Sequence, residues 1–514
     1  MLFNSVEFIF LFLPVLLVIF FQLGRYSRRL AALWLAAGSF FFYAWWNPAY
    51  VGLLLASIVF NYSVGYALAR SNDIASPRRK LLLALGVITD LSLLGYYKYA
   101  NFFIHTTNAA LGTSYGFADI VLPLGISFFT FTQIAFLVDA ARGEAREFNF
   151  IHYSLFVSYF PHLIAGPILH HKKMMPQFGR ASTYRFSVDD FTVGLTIFAL
   201  GLFKKVVIAD GVGPYAGILF ASADHGDTLG LFQAWEGALA YTLQLYFDFS
   251  GYSDMAIGLS CMIGVRLPLN FNSPYKAANI ADFWRRWHMT LSRFLRDYLY
   301  FPLGGNRKGQ GRRYVNLMAT MLLGGLWHGA GWTFVIWGGL HGAYLIIHQA
   351  WQALRIRLGF GDPSAAGRFM GTGLTFIAVV VGWVFFRAQT FHGAISMLRS
   401  MGGLNGVSLP DAIALHLGPL ASRLSSLGVV FNPGGGHEFV MNAVWVAVLL
   451  PIVFLAPNTQ QILYRFRPAL DQRVDDTAAL GWSPDMRWGI VMAVVLAAGL
   501  LSLAHPGEFL YFQF

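Results

Sequence analysis

Two histidines, each directly after a tryptophan, are the side chains of this sequence best suited to chemistry. His328 lies in residues 326–332, Leu-Trp-His-Gly-Ala-Gly-Trp, inside a long apolar run, and His288 follows Trp287. An ionisable group is costly to bury in apolar surroundings, so it usually faces a cavity or pathway and has a function there. Imidazole, which titrates near neutral pH, can deprotonate an attacking hydroxyl. The pattern therefore predicts His328 as a catalytic base, and the alternative is a core histidine satisfied by a neighbouring helix.

A third histidine, His341, follows His328 along the same apolar run. On one continuous helix the two would lie about 20 Å apart, because each residue adds about 1.5 Å. We therefore expect His341 to be structural unless the chain folds back between the two positions.

The stretch 282–300, which includes His288, is both basic and aromatic. At helical spacing one face carries Trp284, Trp287, Leu291, Phe294 and Tyr298, and the arginines lie largely on the other faces. This pattern predicts an amphipathic helix at the membrane surface. Its arginines either contact lipid phosphates, or Arg285, Arg286 and Arg296 bind the phosphates of a nucleotide-bearing donor while His288 points inward.

Two further groups of polar residues lie in apolar sequence. His162, His170 and His171 are close together, but no carboxylate or cysteine is spaced to complete a metal site, so we predict no bound metal. Asp248 and Asp254 can relay protons in a transporter or orient helices through hydrogen bonds, and the structural role is favoured.

The composition predicts that lipid surrounds much of this chain. Of its 514 residues, 56% are hydrophobic and 12% are charged, and the mean hydropathy is +0.54. In soluble domains about a quarter of the residues are charged. Many apolar runs of roughly 17–25 residues favour a polytopic helical protein, and the lack of period-2 alternation excludes a barrel. The single cysteine, Cys261, excludes an intramolecular disulfide and a cysteine-based metal site.

The net charge of +11 is concentrated in connecting segments. Cytoplasmic loops carry an excess of Lys and Arg, so this charge indicates topology and argues against nucleic-acid binding. Arg25, Arg28 and Arg29 place the end of the first run in the cytoplasm, and no cleavage pattern follows that run. The basic cluster at residues 78–80, which includes Arg79, marks a second cytoplasmic end. Counting onward along the chain places the C-terminal tail on the outer side of the membrane.

The apolar segments predict a series of helices. They are 8–23, 30–46, 50–68, 81–97, 121–137, 151–168, 191–208, 231–259, a hairpin over 315–351, 372–386, 440–455 and 490–503. Pro and Gly interrupt 121–137, 151–168 and 191–208, so these segments span, re-enter or lie buried inside the protein. A long Gly- and Leu-containing loop precedes 440–455. Because no short-period repeat or low-complexity linker is present, we predict one membrane domain over residues 1–514.

These residues resemble the membrane-bound O-acyltransferase (MBOAT) superfamily, and in it the bacterial branch of the alginate O-acetyltransferase membrane subunit, the AlgI-like proteins. The matching strings occur in family order at 95–103, 122–129, 160–168, 246–258, 282–305 and 321–342. Each string is weak alone, and the ordered set is specific. The resemblance is dense over roughly the first two thirds of the chain and looser beyond.

The resemblance implies an all-α polytopic fold, a ring of roughly 11–13 transmembrane or re-entrant helices around a central tunnel. The family core is expected at residues 95–350, with C-terminal helices at 370–506 and a tail at 507–514. By motif, the resemblance assigns His328 to the waist of the tunnel as general base. His288 is the second family histidine, which positions the thioester or assists proton transfer.

The resemblance also implies the substrates. The donor is cytoplasmic acetyl-CoA, no cofactor is bound, and the acceptor hydroxyl is reached from the opposite side of the membrane. This arrangement keeps the charged nucleotide in water while only a small neutral acetyl group crosses. A covalent acetyl-histidine is the competing mechanism.

The chain ends at residues 509–514 with Phe-Leu-Tyr-Phe-Gln-Phe, which resembles a C-terminal motif of envelope acylation proteins. The resemblance implies that Tyr511 enters the tunnel from outside and carries the acetyl group to a periplasmic SGNH-hydrolase-like transferase. Otherwise the tail is an interfacial aromatic anchor, or the remnant of a protease-site tag.

The function expected from the sequence is therefore acetyl transfer in the bacterial inner membrane, for O-acetylation of an envelope or exopolysaccharide such as alginate. One alternative is acylation of peptidoglycan, cellulose or teichoic acid. Another is a proton-coupled transporter that uses Asp248, Asp254 and His328, although no inverted repeat supports it. A non-catalytic scaffold is the third.

Overall fold

The computed structural model of the chain is almost entirely helical. It describes residues 1–70, 73, 76–116, 120–145, 147–470, 480–504, 507 and 510. The chain forms two compact units. The first comprises Met1–Phe203, Ser250–Asn270 and the described residues from Thr459 onward, and the second comprises Lys204–Phe249 and Phe271–Asn458.

The helices follow one another closely along the described residues. In chain order they are α1 (Leu13–Tyr26), α2 (Arg28–Ala44), α3 (Ala49–Arg70), α4 (Pro77–Leu94), α5 (Ala100–Leu111), α6 (Ile126–Ala141), α7 (Phe150–Ser158), α8 (Phe160–Leu163), α9 (His171–Gly179), α10 (Val188–Phe203), α11 (Asp210–His225), α12 (Leu231–Met262), α13 (Ile280–Arg286), α14 (Met289–Leu295), α15 (Gly309–His328), α16 (Trp332–Arg357), α17 (Ala365–Arg387), α18 (Phe391–Met401), α19 (Asp411–Leu417), α20 (Pro419–Ser426), α21 (Gly436–Leu455), α22 (Thr459–Ile462) and α23 (Met486–Leu501). Two strands, β1 (Val407–Pro410) and β2 (Val429–Asn432), lie between α18 and α21.

The first unit contains α1–α10, the C-terminal part of α12, α22 and α23; the second contains the remaining helices and both strands. Four π-helical turns occur among the described residues, at Phe8–Phe12, Gly95–Tyr99, Lys204–Ala209 and Arg296–Tyr300. Such turns are rare in proteins, and those that occur are often found at functional sites.

Six helical segments of the described residues are long and apolar enough to cross a membrane. They are Phe8–Tyr26, Ala49–Arg70, Pro77–Leu111, Val188–His225, Ala365–Arg387 and Gly436–Leu455, and Ile126–Ala141 and Met486–Leu501 are shorter apolar helices. The predicted all-α polytopic membrane architecture is therefore confirmed. The first four predicted segments correspond to α1–α4.

In the first unit, α10 packs against the C-terminal part of α12 through glycines. A Cβ atom on Gly194 would lie 2.6 Å from the Gly258 carbonyl oxygen, and one on Gly258 would lie 2.5 Å from the Gly194 carbonyl oxygen. In an apolar solvent helices associate mainly through close packing, which small residues permit. The glycines that interrupt the predicted segment 191–208 therefore serve helix packing.

The C-terminus of α6 ends against a buried arginine. The Arg79 guanidinium donates from Nε to the Ala141 carbonyl at 2.9 Å and from NH2 to the Ala140 carbonyl at 2.8 Å. The last carbonyls of a helix have no partner within that helix, and Arg79 supplies hydrogen-bond donors to two of them. Only 3% of Arg79 is exposed, so this residue of a predicted cytoplasmic charge cluster also has a structural role.

The predicted interruption of segment 151–168 is present: α7 ends at Ser158, Tyr159 leaves the helical conformation with φ −54° and ψ +109°, and the short α8 begins beside Pro161. The prediction of a loop before residue 440 is wrong. The predicted loop before residue 440 contains α18–α20 and the parallel pair β1–β2, in which Val407 lies opposite Val429. Strands of four residues are too short to show a clear alternation of apolar and polar side chains.

Candidate active site

In the second unit, helices α15 and α16 form a tight hairpin that places His328 at its bend. The two helices approach through glycines: a Cβ atom on Gly325 would lie 2.3 Å from the Phe334 carbonyl oxygen, and one on Gly338 would lie 2.3 Å from that of Met321. Residues 329–331 connect the helices, and α15 ends at His328 itself. The chain thus folds back between His328 and His341.

His328 is 5% exposed and lies among aromatic rings. Its ring centroid is 5.0 Å from that of Trp327, 5.1 Å from Trp337 and 5.3 Å from Phe386, all in edge-to-face arrangements. Edge-to-face packing suits the quadrupoles of such rings. The surroundings of His328 therefore exclude bulk water and fix the direction of the imidazole.

His288 is fully buried and lies in the break between α13 and α14. Its backbone has φ +40° and ψ +53°, the left-handed region, which costs a residue with a Cβ atom roughly 1–2 kcal/mol. Its ring centroid is 4.9 Å from that of Phe249 and 6.2 Å from that of His328. Burial lowers the pKa of His288, so the imidazole is neutral at physiological pH. Strained backbone of this kind clusters at functional sites.

The prediction of one amphipathic helix over 282–300 is wrong. The stretch consists of α13, the left-handed His288, α14 and a π turn. The apolar face is nevertheless buried, since Trp287 is 2% and Leu291 is 1% exposed. The left-handed residue changes the chain direction and brings the His288 ring close to the α15–α16 hairpin.

His341 lies one aromatic ring away from His328. The Trp337 ring is 5.1 Å from His328 on one side and 4.8 Å from His341 on the other, measured between centroids. His341 is fully buried, and neither of its ring nitrogens has a hydrogen-bond partner among the described residues. We call His288, His328, His341 and Trp337 the aromatic histidine cluster.

The three arginines predicted to bind the donor differ in their contacts. Arg286 pairs with Asp282 at 2.9 Å, and Arg296 pairs with Asp297 through two nitrogens at 2.7 and 3.1 Å. Arg285 is exposed at the surface of α13. Two of the three candidate arginines are therefore already paired with an aspartate of the same stretch.

Sequence reasoning missed a buried lysine in the second unit. Lys205 Nζ lies 2.6 Å from Asp210 Oδ1 and 2.8 Å from Asp248 Oδ1, and its side chain is 2% exposed. We call these three residues the ionic cluster. The signal that could have identified it is a Lys-Lys pair, at 204–205, inside an apolar helix. Asp248 thus forms an ion pair, which agrees with the structural role that the sequence favoured for it.

Asp254, in the first unit, accepts a hydrogen bond from the Thr459 hydroxyl at 2.6 Å and one from the Gln460 amide at 3.5 Å. Its carboxylate therefore joins α12 to α22. This contact, like the ion pair of Asp248, has the geometry that a role in helix orientation requires.

The fold brings a carboxylate to two of the three clustered histidines, which the sequence spacing did not predict. Asp139 Oδ2 lies 3.1 Å from His170 Nε2 and 3.6 Å from His171 Nδ1. The expectation that no carboxylate completes the group was therefore wrong, because Asp139 comes from the distant helix α6. His162 stands apart, with Nε2 at 2.9 Å from the Phe156 carbonyl.

Tyr511, the predicted acyl carrier, lies outside the described residues. Leu510, directly before it, is buried.

The sequence matches known proteins across the site. The model of the membrane-bound O-acyltransferase family matches residues 88–387, a range that includes His288 and His328. The chain is 46% identical over 436 residues to a peptidoglycan O-acetyltransferase of Helicobacter pylori, which covers 80% of this chain and 81% of the relative. It is 41% identical to a probable alginate O-acetylase AlgI of Azotobacter vinelandii over the whole of both chains. A teichoic acid D-alanyltransferase of Bacillus subtilis is 28% identical over 53% of this chain and 71% of the relative.

Proposed function

The chain belongs to the membrane-bound O-acyltransferase family, as its motifs predicted, and we propose that it transfers acetyl groups from cytoplasmic acetyl-CoA for O-acetylation of an envelope polysaccharide. Family membership makes it a multi-pass membrane O-acyltransferase. The names of two relatives, a peptidoglycan O-acetyltransferase and an alginate O-acetylase, support acetyl as the group and a polysaccharide as the destination. Because these relatives are bacterial, we place the protein in a bacterial inner membrane.

One observation carries this proposal: two imidazoles lie 6.2 Å apart between ring centroids inside a buried aromatic wall. Sequence alone does not bring them together; the left-handed His288 and the α15–α16 hairpin do. A base that is held in a water-poor site deprotonates a hydroxyl without competing hydrolysis of the thioester.

In the proposed reaction, His328 takes the proton of the acceptor hydroxyl while the hydroxyl oxygen attacks the thioester carbonyl. The carbon–sulfur bond then breaks, an ester forms, and the thiolate of CoA leaves and takes the proton from the imidazolium. His328 ends α15, and the partial negative charge of the helix C-terminus stabilises the imidazolium that forms transiently. No net charge crosses the membrane with the acetyl group.

His288 has a positioning role in this scheme. Its imidazole is neutral and rigidly held, so one ring nitrogen can donate a hydrogen bond to the thioester carbonyl oxygen as negative charge develops there. A covalent acetyl-histidine is the competing route, in which an imidazole nitrogen attacks the thioester first.

For the donor, Arg285 is the candidate phosphate contact with the simplest geometry, because it is exposed. Arg286 and Arg296 would have to exchange Asp282 and Asp297 for phosphate oxygens. Arginine forks match phosphate as well as they match carboxylate, so this exchange is chemically reasonable.

For the acceptor, we propose that Tyr511 receives the acetyl group near His328 and passes it to a periplasmic SGNH-hydrolase-like transferase. The phenol oxygen is an acyl acceptor of the kind that a histidine base activates. The predicted outer location of the C-terminal tail supports this role.

Two polymers are candidates for the final acceptor. The full-length similarity to an alginate O-acetylase favours an exopolysaccharide such as alginate. The higher identity to a peptidoglycan O-acetyltransferase favours peptidoglycan. Ester-linked acetate, measured separately in peptidoglycan and in exopolysaccharide of a deletion strain, would distinguish the two.

The test of the proposal is His328→Ala in the native host. We expect loss of ester-linked acetate from the polymer, with unchanged amounts of the protein in the membrane fraction. His348→Ala, on the half-buried part of α16, is the matched control and should leave acetylation intact. Retained acetylation in the His328→Ala strain would remove His328 from the chemistry.

A second experiment separates the mechanisms. Purified enzyme is incubated with isotope-labelled acetyl-CoA and digested for mass spectrometry. Label on Tyr511 that disappears in His328→Ala supports the carrier role, and label on His328 supports acetyl-histidine. If CoA is never released with any acceptor or partner, the donor assignment fails and proton-coupled transport gains support.

A further inference from the structure

Helices α6 and α9 of the first unit bring three potential metal ligands together. They are Asp139, near the end of α6, and His170 and His171, at the start of α9. One oxygen, one nitrogen of His170 and one of His171 all lie within 4.8 Å of one another. Both imidazoles approach the same carboxylate oxygen, Asp139 Oδ2, at 3.1 and 3.6 Å.

The burial of this group separates it from a surface ion pair. His171 is 3% exposed and Asp139 is 1% exposed. Neither ring nitrogen of His171 has a hydrogen-bond partner among the described residues. A buried polar side chain without such a partner is costly, and an unseen ion is one of the ordinary explanations.

The shape of the site leaves room for an ion and one further ligand. A cavity of about 460 Å³ is lined by His171, Lys172, Glu144 and Glu147, among others. On the other side, the rings of Phe136 and Phe156 contact His171 at 5.5 and 6.3 Å between centroids. The cluster therefore packs against aromatic rings and borders this cavity through His171.

We propose that Asp139, His170 and His171 bind a divalent transition-metal ion of the zinc class, with the fourth coordination position open to the cavity. Two imidazole nitrogens and one carboxylate oxygen are a ligand set that zinc accepts, and such three-residue sites keep a position for water. Ligand atoms that lie about 2 Å from a tetrahedral ion are roughly 3.3 Å from one another, and the two Asp139–histidine distances, 3.1 and 3.6 Å, lie on either side of that value. The ion would tie the end of α6 to the start of α9.

Charged side chains also surround the three ligand groups. Two cations stand near Asp139: Lys172 Nζ lies at 3.9 Å from Oδ2, and Arg142 NH1 lies at 3.9 Å from Oδ1. Lys172 also pairs with Glu144, so it can remain beside that carboxylate when a dication occupies the site.

Calorimetry with zinc chloride tests the proposal, using full-length protein in detergent that has no polyhistidine tag and has been treated with a chelator. We expect one zinc ion per chain. Asp139→Asn and His171→Gln should each weaken binding at least tenfold, because each removes one of three ligands. His416→Gln, an exposed histidine of α19, is the matched control and should bind zinc as the native protein does.

Two further measurements keep the test decisive if a variant folds poorly. Zinc should raise the melting temperature of the native protein and leave that of His170→Gln unchanged. Lys172→Gln should bind zinc several-fold more tightly, because it removes a positive charge beside the ion. Equal affinity of native protein and Asp139→Asn, or no bound zinc in the native protein, would overturn the proposal and leave a histidine–carboxylate ion pair.

Discussion

The second unit buries polar groups in two different ways. In the ionic cluster, Lys205 lies between the carboxylates of Asp210 and Asp248 at 2.6 and 2.8 Å, and opposite charges satisfy one another. In the aromatic histidine cluster, imidazoles are surrounded by rings, and His341 has no hydrogen-bond partner among the described residues. In the first cluster the polar groups contact charges of opposite sign, and in the second they contact aromatic rings. We therefore expect substitutions in the ionic cluster to change stability most, and substitutions of His288 and His328 to change acetyl transfer.

The largest effect on stability is expected from the ionic cluster. Lys205→Met leaves two buried carboxylates without their cation, and breaking a buried ion pair in this way costs about 3–5 kcal/mol. We expect little folded protein, measured as the monodisperse peak in fluorescence-detected size-exclusion chromatography. Lys204→Met, at the neighbouring half-buried lysine, should change that peak much less. Equal peaks would mean that the cluster contributes nothing to the fold.

The next effect comes from the hairpin that supports the aromatic histidine cluster. In Gly338→Ala the new Cβ atom meets the Met321 carbonyl, so the two helices must separate at an expected cost of about 1–3 kcal/mol. Gly339→Ala is the control, since its Cβ atom meets only Leu322 Cδ2, at 3.5 Å. Thermal melts in detergent should show a lower melting temperature for Gly338→Ala alone. A lower value for both variants would point to helix propensity or lipid contacts instead of this crossing.

A smaller and more specific effect is expected at His288. Both His288→Ala and His288→Gly should lose acetyl transfer, because both remove the imidazole. The glycine variant should nevertheless be more stable than the alanine variant by about 1–2 kcal/mol, since only glycine adopts φ +40° without strain. Chemical denaturation of the two variants measures this difference. If alanine were the more stable, the left-handed backbone would not exist in solution.

The smallest effect is expected from His341→Phe. Phenylalanine keeps the ring contacts with Trp337 and removes two buried nitrogens that lack hydrogen bonds, so stability should be unchanged or slightly higher. Acetyl transfer should be retained. Loss of transfer in a folded His341→Phe protein would mean that His341, like His328, takes part in catalysis and is not only structural.

Long apolar runs made the spans predictable. Segments such as 8–23 and 50–68 became helices at nearly the expected bounds, because a membrane requires every backbone group to bond within its own helix. His328 could also be identified as a candidate, since a histidine in an apolar run is costly. Short elements such as β1 and α13 depend on tertiary contacts, and their sequences show no sustained period.

What the sequence could not provide were contacts between distant segments. Asp139 and His170 come from different helices, and no spacing rule connects them. Arg79 was interpreted only as a topology signal, although it caps α6. The left-handed backbone of His288 is rare for a residue with a Cβ atom, so no pattern predicts it. Each of these features depends on a three-dimensional approach that a one-dimensional pattern does not encode.

The π turn Arg296–Tyr300 makes the number of residues in this segment important. Such a turn holds one residue more than an α-helical path, so it sets an angular offset between the side chains before and after it. One residue corresponds to about 100° of helix rotation. Deleting a single amino acid here would turn the following segment to a new direction, whereas changing side chains would not. Residue count, independent of residue type, is therefore under constraint just after the break that holds His288.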